Sequence, residues 1–299
     1  MNGKAWRDVR KNFPIYLFLL PTFILVIIFS YYPIISAVYH AFTEWDGVNV
    51  RFNGFENFLS MIKDDAFIAS LLNVIKLTLF SEIVALTLPL LSAVIIFHLI
   101  GERIKYFFRV LFVVPMVVPY MVILLIWRFI YDPLDGLLNR LLMSFGITNT
   151  PVWLGDSKTA LLSIMLIGFP WVAGFNLLIY LAGLDNISPD LFDAAAIDGA
   201  LGLKRFFYIE LPSLLGQIKL IVIMTLITQL QAFQAPLILT NGGPGFSTMV
   251  PGLVIYQNAF HFNRMGYASA IGLVLSIFIL ILTIINMRYI STEVAVSER

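Results

Sequence analysis

Long apolar runs, separated only by short polar segments, set the first limit on what this chain can fold into. Runs at about 13–38, 70–99, 108–131, 159–183, 217–239 and 267–289 each exceed the roughly 20 residues that cross a bilayer core. Of 299 residues, 60% are hydrophobic and 12% charged, which leaves too few charges to cover a water-soluble domain of this size. Inside a bilayer only helices and closed barrels satisfy every backbone polar group, so the runs predict an all-α polytopic membrane protein with six transmembrane helices. Pro21, Pro33, Pro89, Pro115, Pro119 and Pro170 interrupt these runs, and neighbouring helices or ordered water can satisfy the carbonyls they free. Lys4, Arg7, Arg10 and Lys11 precede the first run in the manner of a signal peptide. That run is too long and lacks a small-residue cleavage site, so it reads as an uncleaved first span.

Basic residues divide unevenly between the two sets of loops. Lys4, Arg7, Arg10, Lys11, Arg103, Lys105, Arg109, Lys204, Arg205, Lys219, Arg288 and Arg299 fall on one side, against Arg51, Lys63, Arg140, Lys158 and Arg264 on the other. The positive-inside bias places both termini, and the loop between the fourth and fifth runs, in the cytoplasm. The expected organisation is a cytoplasmic segment at 1–12, the first helix with an outer segment at 13–69, a core at 70–290 containing a cytoplasmic loop at 185–216, and a cytoplasmic tail at 291–299. In the outer segments, Phe55, Phe58, Met61 and Ile62, and then Leu137, Leu138, Leu141 and Leu142, recur at helical spacing. Asn241-Gly242-Gly243-Pro244-Gly245 predicts a tight, irregular turn.

The inner loop has the most legible local chemistry. Ser188 can cap a helix, Pro189 suits its first turn, and Asp190 sits near its positive end. Gly199 supplies the stop, since glycine enters the left-handed region without steric cost. A second short helix carrying Phe206 and Ile209 on one face is expected to break at Leu211-Pro212. Asp193, Ala194, Ala195, Asp198, Gly199 and Ala200 would then form a small docking surface with a carboxylate at each end. The plainer reading is a polar connector, which has no need of two capped helices and a glycine joint.

The order Asp193-Ala-Ala-x-x-Asp198-Gly199-Ala200-x5-Phe206-x2-Ile209-x-Leu211-Pro212 resembles the cytoplasmic "EAA" loop of permease subunits in binding-protein-dependent ABC importers. Asp193 stands where that family usually has Glu, which keeps the charge but shortens its reach. Asp132-Pro133 with Gly136-Leu137-Leu138-Asn139, Trp153-Leu154-Gly155-Asp156, Leu181-Ala182-Gly183-Leu184 and Thr240-Asn241-Gly242-Gly243-Pro244 are similar to the carbohydrate-import, maltose-permease-like branch. Tyr256-Gln257-Asn258-Ala259-Phe260 and Gly266-Tyr267-Ala268-Ser269-Ala270 continue the likeness. The resemblance implies a type I ABC importer permease fold in a bacterial or archaeal cytoplasmic membrane. It implies a second permease subunit, two ATP-binding subunits and an extracytoplasmic solute-binding protein as partners, with a di- or oligosaccharide as cargo. It also implies that Asp193–Ala195, Asp198–Ala200, Phe206, Ile209, Leu211 and Pro212 couple the chain to the ATPase.

No G-x-x-x-x-G-K-[ST] run occurs, so ATP and Mg are expected on the partner ATPase, with no cofactor and no enzymatic activity of this chain's own. His40, His98 and His261 are too dispersed for an evident metal site, the chain has no cysteine, and a net charge of +1 with no basic cluster suggests no nucleic acid. Within the spans, Lys76 and Arg128 lie near an outer end and can snorkel, whereas Glu82 is deeper and either lines a path, pairs with a partner helix or sits protonated. Thr225, Thr228, Gln229, Gln231 and Gln234 give the fifth span a run of hydrogen-bonding groups, with Thr228, Gln231 and Gln234 three residues apart. Neutral amides and hydroxyls over aromatic faces suit a sugar, and Phe233, Trp171, Asn176 and Tyr120 complete such a lining. The same amides would equally serve as contacts between helices. An ion-coupled carrier using Glu82, or an ABC importer for glycerol phosphate or another small polar solute, are the competing functions.

Overall fold

The computed structural model of the chain describes residues 13–289, so Lys4, Arg7, Arg10, Lys11, Arg299 and the tails at 1–12 and 291–299 lie outside the described residues. The described part is almost entirely helical and divides into two compact units. One holds residues 13–63 with Ile255–Val274, and the other holds Asp64–Val254 with 275–289.

In the first unit, helix α1 runs over Phe13–Val26, widens into a π-helical turn at Ile27–Tyr31 and continues as Tyr32–His40. A short antiparallel hairpin follows, β1 (Thr43–Trp45) with β2 (Val50–Phe52), which the turn residues alone had not announced. Asp46 closes it, its Oδ1 accepting from the Val48 and Asn49 backbone N–H groups at 2.8 and 2.6 Å. Helix α2 (Glu56–Ile62) packs beneath, and Asn57 Nδ2 donates to the Ala41 and Thr43 carbonyls at 3.0 and 2.9 Å.

The second unit is built on α3 (Asp65–His98), which Asp64 caps by accepting from the Ala66 and Phe67 N–H groups. Pro89 sits inside α3 without ending it. Next come α4 (Glu102–Val113), α5 (Tyr120–Ile130), α6 (Leu137–Ser144), α7 (Ala160–Leu166) and α8 (Gly174–Asp185). The loop at 185–216 supplies α9 (Pro189–Ile197) and α10, which runs from Leu203–Arg205 through a π-turn at Phe206–Glu210 to Leu211–Ser213. Helices α11 (Leu215–Gln231) and α12 (Gln234–Leu239) follow, then α13 (Pro251–Phe260) and α14 (Met265–Tyr289), which pass between the units.

Among the described residues, four stretches are long and apolar enough to cross a membrane: Leu17–His40, Asp65–His98, Leu215–Leu239 and Met265–Arg288. A fifth is the pair Glu102–Val117 and Tyr120–Ile130, bent by 91° at Val118-Pro119 instead of running straight over 108–131. The run at 159–183 is not one helix. It breaks between α7 and α8 at Gly168 (φ +84°), Pro170 and Trp171 (φ +56°). Proline removes an N–H and displaces the carbonyl four residues back, and Trp171 Nε1 satisfies the freed end of α7 by donating to the Met165 carbonyl at 3.0 Å.

Helix α3 packs along α8 and α11. Ala85, Leu90, Ala93 and Ile96 of α3 meet Leu177, Tyr180, Leu181 and Leu184 of α8 and Ile221 of α11 in one apolar core. Gly183 allows the closest approach: a Cβ there would stand 2.5 Å from Leu214 Cδ2 and 2.8 Å from Gln217. The connections at 131–159 and 240–250 are tied by buried amides. Asn139 Nδ2 donates to the Pro133 and Pro151 carbonyls, and its Oδ1 accepts from Trp153 Nε1 at 2.8 Å. Asn73 of α3 holds the Phe246 and Met249 carbonyls at 2.9 and 3.0 Å, just beyond the Asn241–Gly245 turn.

Candidate functional site

Two features of the second unit carry the chemistry: the elbow made by α9 and α10, and a cavity among the spans. At the elbow, Ser188 Oγ accepts from the Asp190 N–H at 3.3 Å and Pro189 opens α9. Helix α9 ends in a paired motif, with Gly199 N–H donating to the Ala196 carbonyl at 3.2 Å and Ala200 N–H to Ala195 at 2.8 Å. This six-to-one and five-to-two pairing requires a left-handed residue, which is Gly199 at φ +71°. A second glycine, Gly202 (φ +58°, ψ −123°), completes the joint in a region closed to other residues. The sequence reading passed over Gly202.

Helix α10 corrects the expected break at Leu211-Pro212. Its π-turn moves the Leu211 N–H onto the Phe206 carbonyl, five residues back, and the helix carries Pro212 through to Ser213. A widened turn of this kind relieves the clash a proline ring makes in a regular helix. Phe206, Ile209 and Leu211 pack with Phe192 against the core of α3 and α8, so the elbow's foot is joined to the membrane helices.

The outward side of the elbow differs from the smooth alanine surface expected. Asp193, Ala194, Asp198 and Gly199 are exposed, but Ala195 is buried and Ala200 half-buried. The surface carries large apolar groups instead: Ile197 is 86% exposed, Leu203 77% and Tyr208 77%, with Leu201 and Phe207 beside them. Such a patch, flanked by Asp193, Asp198 and Lys204, has the composition of a protein-binding surface. Helical periodicity within α10 was the signal available for it, because Phe206 and Ile209 facing inward leave Phe207 and Tyr208 facing out.

The cavity, about 520 Å³, is lined by parts of α3, α5, α11 and α12 and by the break between α7 and α8. Tyr120, Trp171, Asn176, Thr228 and Gln234 line it, as do Thr225 and Gln229. Gln231, Phe233 and Glu82 do not. Of the expected stripe, Thr228 and Gln234 line the cavity and Gln231, the last residue of α11, does not; the polar groups that α11 gives the lining are Thr225 with Thr228 and Gln229, three and four residues on. Phe233 packs at Gly252, where a Cβ would stand 3.1 Å from the phenylalanine Cβ. Both carboxylate oxygens of Glu82 are buried without a hydrogen-bond partner among the described residues. Trp171 is held edge-on by Phe80 and Phe169, at centroid distances of 5.6 and 4.9 Å. The lining is thus aromatic with neutral amides and hydroxyls, and no charged side chain belongs to it.

Residues 85–294 match the family model described as "Binding-protein-dependent transport system inner membrane component". The chain belongs to this family. The match takes in the whole elbow and the cavity segments of α8, α11 and α12. Among similar proteins in the family's sugar branch, the "Multiple sugar-binding transport system permease protein MsmF" of Streptococcus mutans is 30% identical, covering 94% of this chain and 97% of that protein. The "Arabinooligosaccharides transport system permease protein AraP" of Bacillus subtilis is 31% identical, over 95% and 91% of the two chains. The "sn-glycerol-3-phosphate transport system permease protein UgpA" of Agrobacterium fabrum is 29% identical, over 93% and 95%. A chain of a bacterial ABC transporter involved in import of the acidic polysaccharide alginate superposes with a TM-score of 0.84 at 22% identity, covering 95% and 97%. The inner-membrane permease fold is therefore shared well beyond recognisable sequence identity.

Proposed function

We propose that this chain is one of two permease subunits of an ATP-driven, binding-protein-dependent importer that moves a neutral di- or oligosaccharide across the cytoplasmic membrane. In this reading it crosses the membrane six times with both termini inside, the broken α7–α8 run counting as one crossing. An extracytoplasmic solute-binding protein delivers the sugar, and two copies of a separate ATPase, which bind ATP and Mg, grip the elbows of this subunit and its partner permease. ATPase closure would draw the elbows together, tilt α3, α8 and α11, and turn the cavity from one face of the membrane to the other.

The observation that carries the reading is the two-sidedness of the elbow. Its outer surface presents Ile197, Leu203 and Tyr208 to solvent while its foot, Phe206 and Ile209, is packed on helices that line the cavity. The sugars named for MsmF and AraP support a sugar cargo. The uncharged lining favours a neutral sugar over the glycerol phosphate named for UgpA, since a phosphate calls for arginine or lysine. The deciding experiment is to purify the chain with its neighbours and reconstitute it in liposomes. A stably associated ATPase whose hydrolysis is stimulated by sugar-loaded binding protein is expected. Uptake driven by an ion gradient, with no ATPase attached, would refute the proposal.

A further inference from the structure

One ionic cluster ties the elbow to a spanning helix and is used by none of the roles above. His98 is the last residue of α3, while Arg205 and Glu210 bracket the π-turn of α10. Glu210 Oε1 accepts from Arg205 Nε at 2.9 Å and lies 2.8 Å from His98 Nε2. Arg205 Nη2 stands 2.9 and 3.2 Å from the two ring nitrogens of His98. Glu210 is only 1% exposed, and its Oε2 is buried without a hydrogen-bond partner among the described residues. The Arg205 guanidinium also lies 5.5 Å from the ring centroid of Phe192 in α9, which in turn meets Phe97 of α3.

A buried carboxylate is costly, and a loop that merely connected two spans would have no use for one. Apolar contacts between elbow and core can slide, because they have no preferred direction. A carboxylate shared between the end of α3 and both ends of a π-turn fixes distance and angle, and its desolvation makes any separation of the partners unfavourable. We propose that His98, Arg205 and Glu210 are positioning residues, a brace that locks α10 to the inner end of α3 so that a pull on the elbow moves the cavity-lining helix with it. This rests on the elbow being the place where the ATPase grips.

The test uses the complete complex in liposomes with its binding protein and sugar. Glu210→Gln keeps the shape and removes the charge. With the brace, uptake per ATP hydrolysed falls by about tenfold or more while unstimulated hydrolysis per assembled complex is unchanged. If Glu210→Gln assembles poorly, His98→Gln at the more exposed end is read in its place, with the same loss expected. Because the chain has no cysteine, His98→Cys with Glu210→Cys can be joined by a short bis-methanethiosulfonate linker in cysteine-free partner subunits. Linking is expected to restore uptake per ATP to within about threefold of wild type, which a purely structural role would not produce. Normal uptake per ATP in the assembled Gln variant, or a linked double variant that stays uncoupled, overturns the brace. Gly199→Val measured alongside separates the two ideas: normal transport there removes the elbow's coupling role, whereas a block there with normal Glu210→Gln removes the brace alone.

Discussion

The elbow packs on α3 and α8, which also line the cavity, yet the two sites are specified in opposite ways. The devices that shape the elbow's own backbone act over a few residues: the Ser188 cap, Pro189 in the first turn, Gly199 and Gly202 at the joint. The cavity gathers Phe80, Tyr120, Trp171, Asn176 and Gln229 from segments far apart in the chain, and its shape depends on where helices bend. Local sequence therefore constrains the mechanical part closely and the chemical part loosely. On the proposed function, a family built this way would keep its attachment to the ATPase while its cavity changed cargo.

The largest effect that would break this comparison is at Gly199. A Cβ there meets no atom within 4 Å, so substitution acts through backbone strain alone. Gly199→Val forces a β-branched residue to φ +71°, at about 1–2 kcal/mol, and misdirects α10. Membrane insertion should be normal and sugar uptake abolished, measured as radiolabelled uptake normalised to inserted protein. Gly199→Asn, which tolerates the left-handed region, should retain transport. Equal activity in both variants would mean that the joint's geometry is irrelevant.

The cavity is expected to respond by smaller, additive steps. Asn176 and Gln229 both place their amides in the cavity lining. Gln229→Ala should raise the half-saturating sugar concentration about two- to thirteenfold, the range of one lost hydrogen bond of about 0.5–1.5 kcal/mol. Gln231→Ala, outside the cavity, should change it little. Competition uptake with a panel of sugars distinguishes them, and the reverse ranking would restore the continuous stripe expected from the sequence.

The exchange of Gln231 for Gln229 in the lining shows the limit of a spacing argument. An i, i+3 rule says which side chains neighbour one another on a helix, whereas the face turned to a cavity depends on helices distant in the sequence. Hydropathy found the apolar runs but not their form, because a bent pair at Pro119 and a broken pair at Pro170 are as apolar as straight helices. The hairpin at Thr43–Phe52 escaped for another reason: its strands have three residues each, too few to show alternation. In contrast, the flanking motif residues have specific jobs once placed. Gly136 faces the Asp132 carbonyl with no room for a Cβ, Asn139 and Trp153 bond each other, and Gly183 admits Leu214. Their spacing was visible in the sequence, but the contacts behind it were not.

A gentler test of local specification is Ser188→Ala. Loss of a cap costs roughly 0.5–2 kcal/mol, and a nine-residue helix such as α9 has little propensity to spare. Amide exchange within Pro189–Ile197 should accelerate about fivefold, the equivalent of about 1 kcal/mol, with α8 and α11 unchanged. Acceleration spreading into α8 would show that the elbow is not a separately specified element.

The smallest effect extends the contrast to the outer hairpin, a third element closed by one side chain. Asp46 accepts from the Asn49 amide side chain and from the Asn49 and Val48 N–H groups, and these bonds lower its pKa from 3.8 to about 2. Because the folded value lies below the unfolded one, the turn's contribution is fully present above about pH 4 and is lost as pH falls through about 2. Carbon-13 carboxyl shifts of aspartate-labelled protein in detergent should show Asp46 titrating near 2, with Asp46→Asn removing that resonance and leaving uptake at neutral pH nearly unchanged. Asp46 titrating near 3.8 instead would mean that the turn is open in solution and that its shape, like the cavity's, depends on contacts from elsewhere in the fold.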